Sequence, residues 1–116
     1  MIPLDWQIEV KEALEQVPNS RTYFVYPETW PEPPVAVITY ACLNDIAGAY
    51  ADDGEYATEI TVKADVWHKN PDTVHEVSKE VIRQMRNIGY ERKFVCDLYE
   101  RETGLHHKSM RFQGGF

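Results

Sequence analysis

The segment from residue 56 to residue 67 constrains the fold most, because its side chains alternate in character along the chain. One side of the alternation is largely apolar and contains Tyr56, Thr58, Ile60, Val62, Ala64 and Val66. The other side is largely polar and carries Glu59, Lys63 and Asp65. A period of two predicts a β-strand with one buried face and one wet face, which is typical of antiparallel sheets.

A well-delimited helix follows this strand. Asn70 is a suitable N-cap, Pro71 suits the first helical position, and Asp72 suits the positive end of the helix dipole. The apolar positions recur at helical spacing: Val74, Val77, Val81, Ile82, Met85 and Ile88. Gly89 is the expected residue just after the helix end.

The first half of the chain is less regular. An apolar stripe predicts a helix over residues 6–17, with Asp5 as its N-cap. β-branched and aromatic runs predict strands over residues 22–26 and 35–42. A proline-rich loop separates the two strands, and an acidic loop over residues 43–55 follows them.

The chain ends in a predicted hairpin. Residues 92–101 and 105–112 form its strands, Glu102-Thr103-Gly104 forms its turn, and residues 113–116 form a flexible tail. The 116 residues therefore predict one α+β domain in the order α-β-β-β-α-β-β. We expect a mostly antiparallel sheet of about four to five strands, with two helices packed on one face. The passage from residue 67 to residue 92 is a candidate right-handed crossover between parallel neighbours.

Composition excludes several classes of function. A formal charge of −7, from 12 basic and 19 acidic residues, argues against nucleic-acid recognition. No apolar stretch approaches the ~18 residues of a membrane span, and no signal peptide is recognisable. Cys42 and Cys96 are interpreted as reduced strand residues in a cytosolic compartment.

No recognisable catalytic, cofactor or metal motif occurs. His106 and His107 are adjacent on a predicted strand, so their side chains point to opposite faces and cannot easily chelate one ion. An acid–base group of Asp65, His68 and Asp97 is conceivable, but the polar side of a strand normally carries a solvated carboxylate. We therefore predict a protein without catalysis, cofactor or metal.

Candidate partner-binding residues are aromatic or acidic. Aromatic side chains outside clean core positions are favoured anchors of protein interfaces. An acidic loop suits docking to a basic neighbour. The predicted contact residues are Trp30, Asp52, Asp53, Glu55, Trp67, Tyr99 and Phe116.

Three segments together resemble a known family. They are "YFVYPETW" at residues 23–30, the strand-to-helix passage that contains "ADVW" at residues 64–67, and the ending "DLYERETGLHHKSMRF" at residues 97–112. The chain resembles the tail-terminator and tail-completion (neck) proteins that join head to tail in long-tailed bacteriophages.

The resemblance implies a structural protein of the virion, assembled in the host cytoplasm. It implies a homo-oligomeric ring, commonly hexameric, that ends the tail tube at its head-proximal end and meets the head connector. The family contributes no catalytic residues. Two other hypotheses stay open at this point: a small ligand-binding or regulatory module, and an enzyme with a dispersed acid–base site around Asp65 and His68.

Overall fold

A computed structural model describes residues 2–3, 6–27, 35–45, 56–57 and 59–115. Two helices and seven strands occur in this part of the chain. In chain order they are β1 (Ile2–Pro3), α1 (Trp6–Glu15), β2 (Ser20–Phe24), β3 (Ala36–Asp45), β4 (Tyr56–Ala57), β5 (Glu59–His68), α2 (Pro71–Asn87), β6 (Glu91–Glu100) and β7 (Leu105–Gly115).

The main sheet has five strands in the order β2-β3-β5-β7-β6. The β2–β3 pair is parallel and the other three pairs are antiparallel. β1 and β4 form a separate two-stranded antiparallel pair. The predicted fold class, a single α+β domain with a mostly antiparallel sheet and two helices, is confirmed.

One core lies between the helices and the sheet. The apolar side of β5 faces it, with Ile60, Val62, Ala64 and Val66 all fully buried. The helices add their apolar stripes to the same cluster, and β3 and β7 add Ile38, Tyr40, Met110 and Phe112. We call the sheet face on this side the helical face, and the opposite one the distal face.

The predicted punctuation of α2 is confirmed. Asn70 has an extended backbone, and its Oδ1 accepts a hydrogen bond of 2.8 Å from the N–H of Asp72. The helix begins at Pro71 and ends at Asn87, and Gly89 has a φ of 93°. A positive φ after a helix is adopted most readily by a residue without a Cβ, which explains the glycine. Gly104 in the hairpin turn has a φ of 73°, as its place in the turn predicts.

Several boundaries differ from prediction, and in β3 and β7 the reason is that pairing continues beyond the local pattern. The predicted strand over residues 56–67 is divided between β4 and β5, and β3 runs on to Asp45. The predicted tail is wrong for residues 113–115, which pair with Glu59–Thr61 as the end of β7. α1 ends at Glu15, two residues early, and Asp5 and the loops over 28–34 and 46–55 lie outside the described residues.

The crossover interpretation is also wrong in one respect. β5 and β6 run in the same direction, but β7 lies between them and pairs with both. The chain therefore leaves β5, passes through α2, skips one position and returns through the hairpin to fill it. Local sequence cannot distinguish this order from direct neighbours, because both orders use the same strand and helix patterns.

Gly114 is required by the packing of Tyr90. A Cβ added at Gly114 would lie 2.8 Å from Cε2 of Tyr90, closer than carbon atoms approach in proteins. Tyr90 is itself buried, so its ring has no free space to move into. Burial raises the pKa of the Tyr90 hydroxyl to about 12.

We predict that Gly114→Ala lowers the free energy of unfolding by about 1–3 kcal/mol, the usual cost of overpacking a core. Urea denaturation of the variant and the wild type measures this. In a Tyr90→Leu background the ring is gone, so the same substitution should cost much less. An equal cost in both backgrounds would show that the Tyr90 ring is not the cause.

Candidate interaction surface

The distal face carries an ordered set of polar and aromatic side chains. Strand alternation and the observed register place Thr39 of β3 beside Asp65 of β5, and Asp65 beside Ser109 of β7. Trp67 lies directly across from His107, and Lys63 lies directly across from Arg111. The polar side of the predicted strand thus continues across three strands.

Trp67 is held within its own chain. Its ring stacks on the imidazole of His107, with centroids 3.6 Å apart and planes 10° from parallel. Its Nε1–H donates a hydrogen bond of 3.1 Å to Oγ1 of Thr39. The indole therefore joins β3, β5 and β7 across the distal face.

Asp65 is a buried carboxylate, with 3% of its surface exposed. Its Oδ2 lies 3.1 Å from Nζ of Lys63 and 2.9 Å from Nε2 of His107. The second contact is close but not aligned for a hydrogen bond, and it is therefore electrostatic. Burial by itself raises the pKa of Asp65, but His107, Lys63 and Ser109 outweigh burial and hold this pKa below its usual value. The carboxylate is therefore charged at neutral pH.

The β6 side of the distal face exposes apolar residues. Phe94 is 46% exposed and Leu98 is 50% exposed. The guanidinium of Arg111 lies over the Phe94 ring, 5.2 Å from its centroid. We call Phe94, Leu98 and Arg111 the β6–β7 patch. Partly exposed apolar side chains grouped beside a cation are typical of contact surfaces.

Two of the predicted contact residues lie in the described part of the chain. Trp67 is half-buried in the stack with His107, and Tyr99 is exposed at the β6 edge, where it touches the ring of His106. Trp30, Asp52, Asp53, Glu55 and Phe116 lie outside the described residues.

The conceivable acid–base group is not assembled. Asp65 contacts His107 rather than His68, and His68 Nδ1 accepts a hydrogen bond from the N–H of Asn70. Asp97 is exposed on the helical face and pairs with Lys108 at 3.3 Å. The expectation that Asp65 is solvated is wrong, because the neighbouring side chains of β5 and β7 enclose it. The prediction that His106 and His107 point to opposite faces is confirmed.

Sequence reasoning missed the β6–β7 patch. Residues Phe94 and Arg111 are far apart in the chain, and a bulge between Arg92 and Phe94 sets their register. Alternation within each strand assigns a residue to a face only when no bulge intervenes. The alternation over residues 105–112 does indicate part of this surface, since it places His107 and Arg111 on one face of the sheet.

Depressions elsewhere on the described surface are lined by polar and apolar groups in about equal measure. One of about 450 Å³ lies between α1 and α2, and Glu9, Glu12, Gln16 and Gln84 are among its lining residues. Pockets that hold small ligands are mainly apolar with a few polar groups. Within the described ranges, no group of three or more His, Cys, Asp or Glu side chains is arranged to hold a metal ion.

Comparison with known proteins adds no family. The chain matches no model of a known protein family, and a search of curated proteins finds no match either. Neither of the two described helices is long and apolar enough to span a membrane.

We predict that Asp65→Asn lowers the free energy of unfolding at pH 7 by about 1–3 kcal/mol, because it removes the carboxylate that Lys63 and His107 face. Because folding lowers the pKa of Asp65, the stabilisation by its carboxylate is fully present above the pKa that Asp65 has in the unfolded chain. The stabilisation is lost as the pH falls through the pKa that Asp65 has in the folded protein. The difference between the variant and the wild type should therefore shrink below about pH 4 in urea titrations at several pH values.

Glu76→Gln is the matched control, since Glu76 and its ion-pair partner Lys79 are both exposed at the surface of α2. Exposed pairs contribute up to about 1 kcal/mol. A pH-independent cost of Asp65→Asn would contradict the proposed charge on Asp65.

Proposed function

We propose that this protein is a structural subunit that assembles with copies of itself into a ring at the head-proximal end of a bacteriophage tail. There it ends the tail tube and joins it to the head connector. The role is one of binding, without catalysis. The observation that carries the proposal is the exposed apolar surface at the β6 edge of the sheet.

β6 is an edge strand, paired with β7 on one side. An edge of ten residues presents unpaired backbone groups, which proteins normally protect from other chains. Here Phe94, Leu98 and Tyr99 are each about half exposed along the same strand. A strand that is unpaired on one side and exposes three large apolar or aromatic side chains among its charged residues favours association with another protein surface.

The resemblance to phage neck proteins supplies the specific partner. The segments that carry it include β5, most of α2, the end of β6 and most of β7. They contain Leu98 and Arg111 of the β6–β7 patch but not Phe94. A repeated contact between identical subunits closes into a ring when the rotation between neighbours allows it.

The ligand-binding alternative predicts an apolar concave pocket. The depression between α1 and α2 is lined by Glu9, Glu12, Gln16 and Gln84 beside Ala13 and Ile88, and it is not an apolar pocket with a few polar groups. The enzyme hypothesis needs Asp65 and His68 to act together, whereas each contacts a different partner.

We predict that the wild-type chain forms an oligomer, alone or on tail tubes, and that Leu98→Asp weakens it. An acid at the centre of an apolar contact should raise the dissociation constant by roughly thirtyfold or more, the effect of a typical hot-spot residue. Native mass spectrometry and size-exclusion chromatography with light scattering measure the mass.

Val25→Asp is the control, because Val25 is 57% exposed and lies at the other end of the sheet, after β2. It should leave the oligomer intact, and both variants should keep the wild-type circular dichroism spectrum. A wild-type chain that stays monomeric in solution and on tail tubes would rule out the ring.

A further inference from the structure

We infer that the β6–β7 patch of one copy binds the outer side of α1 of the next copy. This inference rests on the proposed ring and names the two surfaces that form its contact. The outer side of α1 is represented by Ile8, Glu12 and Glu15, which we call the α1 stripe. Its partner is the β6–β7 patch, Phe94, Leu98 and Arg111.

The distal face beside the patch has an excess of positive charge. Lys63 and Arg111 are directly opposite each other on β5 and β7, an arrangement that like charges normally destabilise. The carboxylate of Asp65 pairs with Lys63, at 3.1 Å. Arg111 is exposed and rests on the Phe94 ring, and it forms no ion pair with any described residue. An acidic group from another molecule would complete the charge balance.

The α1 stripe has the complementary character. Ile8, Glu12 and Glu15 are exposed and follow one another at helical spacing, on the side opposite the buried Val10 and Leu14. Ile8 is 57% exposed, and the two carboxylates follow it along the same side of the helix. In the described part of the chain, neither Glu12 nor Glu15 has an ion-pair partner. One apolar anchor with acids beside it complements two apolar side chains with a cation beside them.

The positions of the two surfaces exclude contact within one molecule. α1 packs on the helical face, beside β2 and α2. The β6–β7 patch lies on the distal face, at the other end of the strand order. One copy can therefore use both surfaces at once, each with a different neighbour. Such a head-to-tail contact generates a ring or a filament rather than a closed dimer.

The dimensions of the surfaces are similar. Ile8 and Glu15 are seven residues apart on a helix, which corresponds to about 10 Å. Phe94 and Leu98 are four residues apart on a strand, which corresponds to about 13 Å. The two contact surfaces are therefore of comparable length, as a direct contact between them requires.

A charge exchange tests the contact. Glu12→Arg alone and Arg111→Glu alone each place like charges together, so each should weaken the wild-type oligomer by at least about tenfold. The chain with both substitutions restores opposite charges at every contact and should recover most of the association. Sedimentation velocity over a concentration series gives the dissociation constants of all four proteins.

Two control variants change the same charges elsewhere. Glu76→Arg lies on the exposed side of α2, and Arg101→Glu lies in the exposed hairpin turn. Both should leave the association unchanged. Thermal denaturation of each variant checks that the fold is intact.

The outcomes separate this inference from the proposed ring. A wild-type oligomer that resists both single substitutions overturns the inference and leaves the ring standing. Loss with Arg111→Glu but not with Glu12→Arg shows that another segment occupies the patch, and it overturns α1 as the partner. A wild-type chain that never associates, alone or on tail tubes, overturns the ring itself.

Discussion

The central strand β5 is the element on which the rest of the structure depends. It pairs with β3 on one side and with β7 on the other, over almost its whole length. Its apolar side chains close the core beneath the helices, and its polar side chains define the distal face. Because alternate side chains of β5 face the core and the distal face, a shift of its pairing register by one residue would turn the apolar side chains to solvent. The same shift would bury the charged side chains in the core. This constraint fixes the register of both neighbouring strands.

The buried Asp65 strengthens that constraint from the distal face. A carboxylate removed from water needs cations or donors nearby, and Lys63 and His107 come from two adjacent strands. Trp67 then stacks on the same His107 and reaches Thr39 on the third strand. These contacts hold β3, β5 and β7 in one register, and they keep the surface beside the β6–β7 patch in a defined arrangement.

Sequence predicts what is encoded locally in this chain and misses what depends on register. Three features follow from the residues themselves: the caps of α2, the alternation of β5 and the glycine of the hairpin turn. Each of them depends on the type of side chain at given positions or, for the glycine, on the absence of a side chain. The insertion of β7 between β5 and β6, the burial of Asp65 and the meeting of Phe94 with Arg111 depend on pairing between distant segments. Gly114 is similar, because its need for a small residue comes from Tyr90, which precedes β6.

The central functional claim concerns the end of a tail tube. Electron microscopy of tail tubes assembled with and without the wild-type chain tests it most directly. The account predicts a ring of copies bound at one end of each tube, tubes that stop lengthening once the ring is bound, and no chemical change in the tube protein. Bare tube ends and unchanged tube lengths at saturating concentrations of the chain would contradict it.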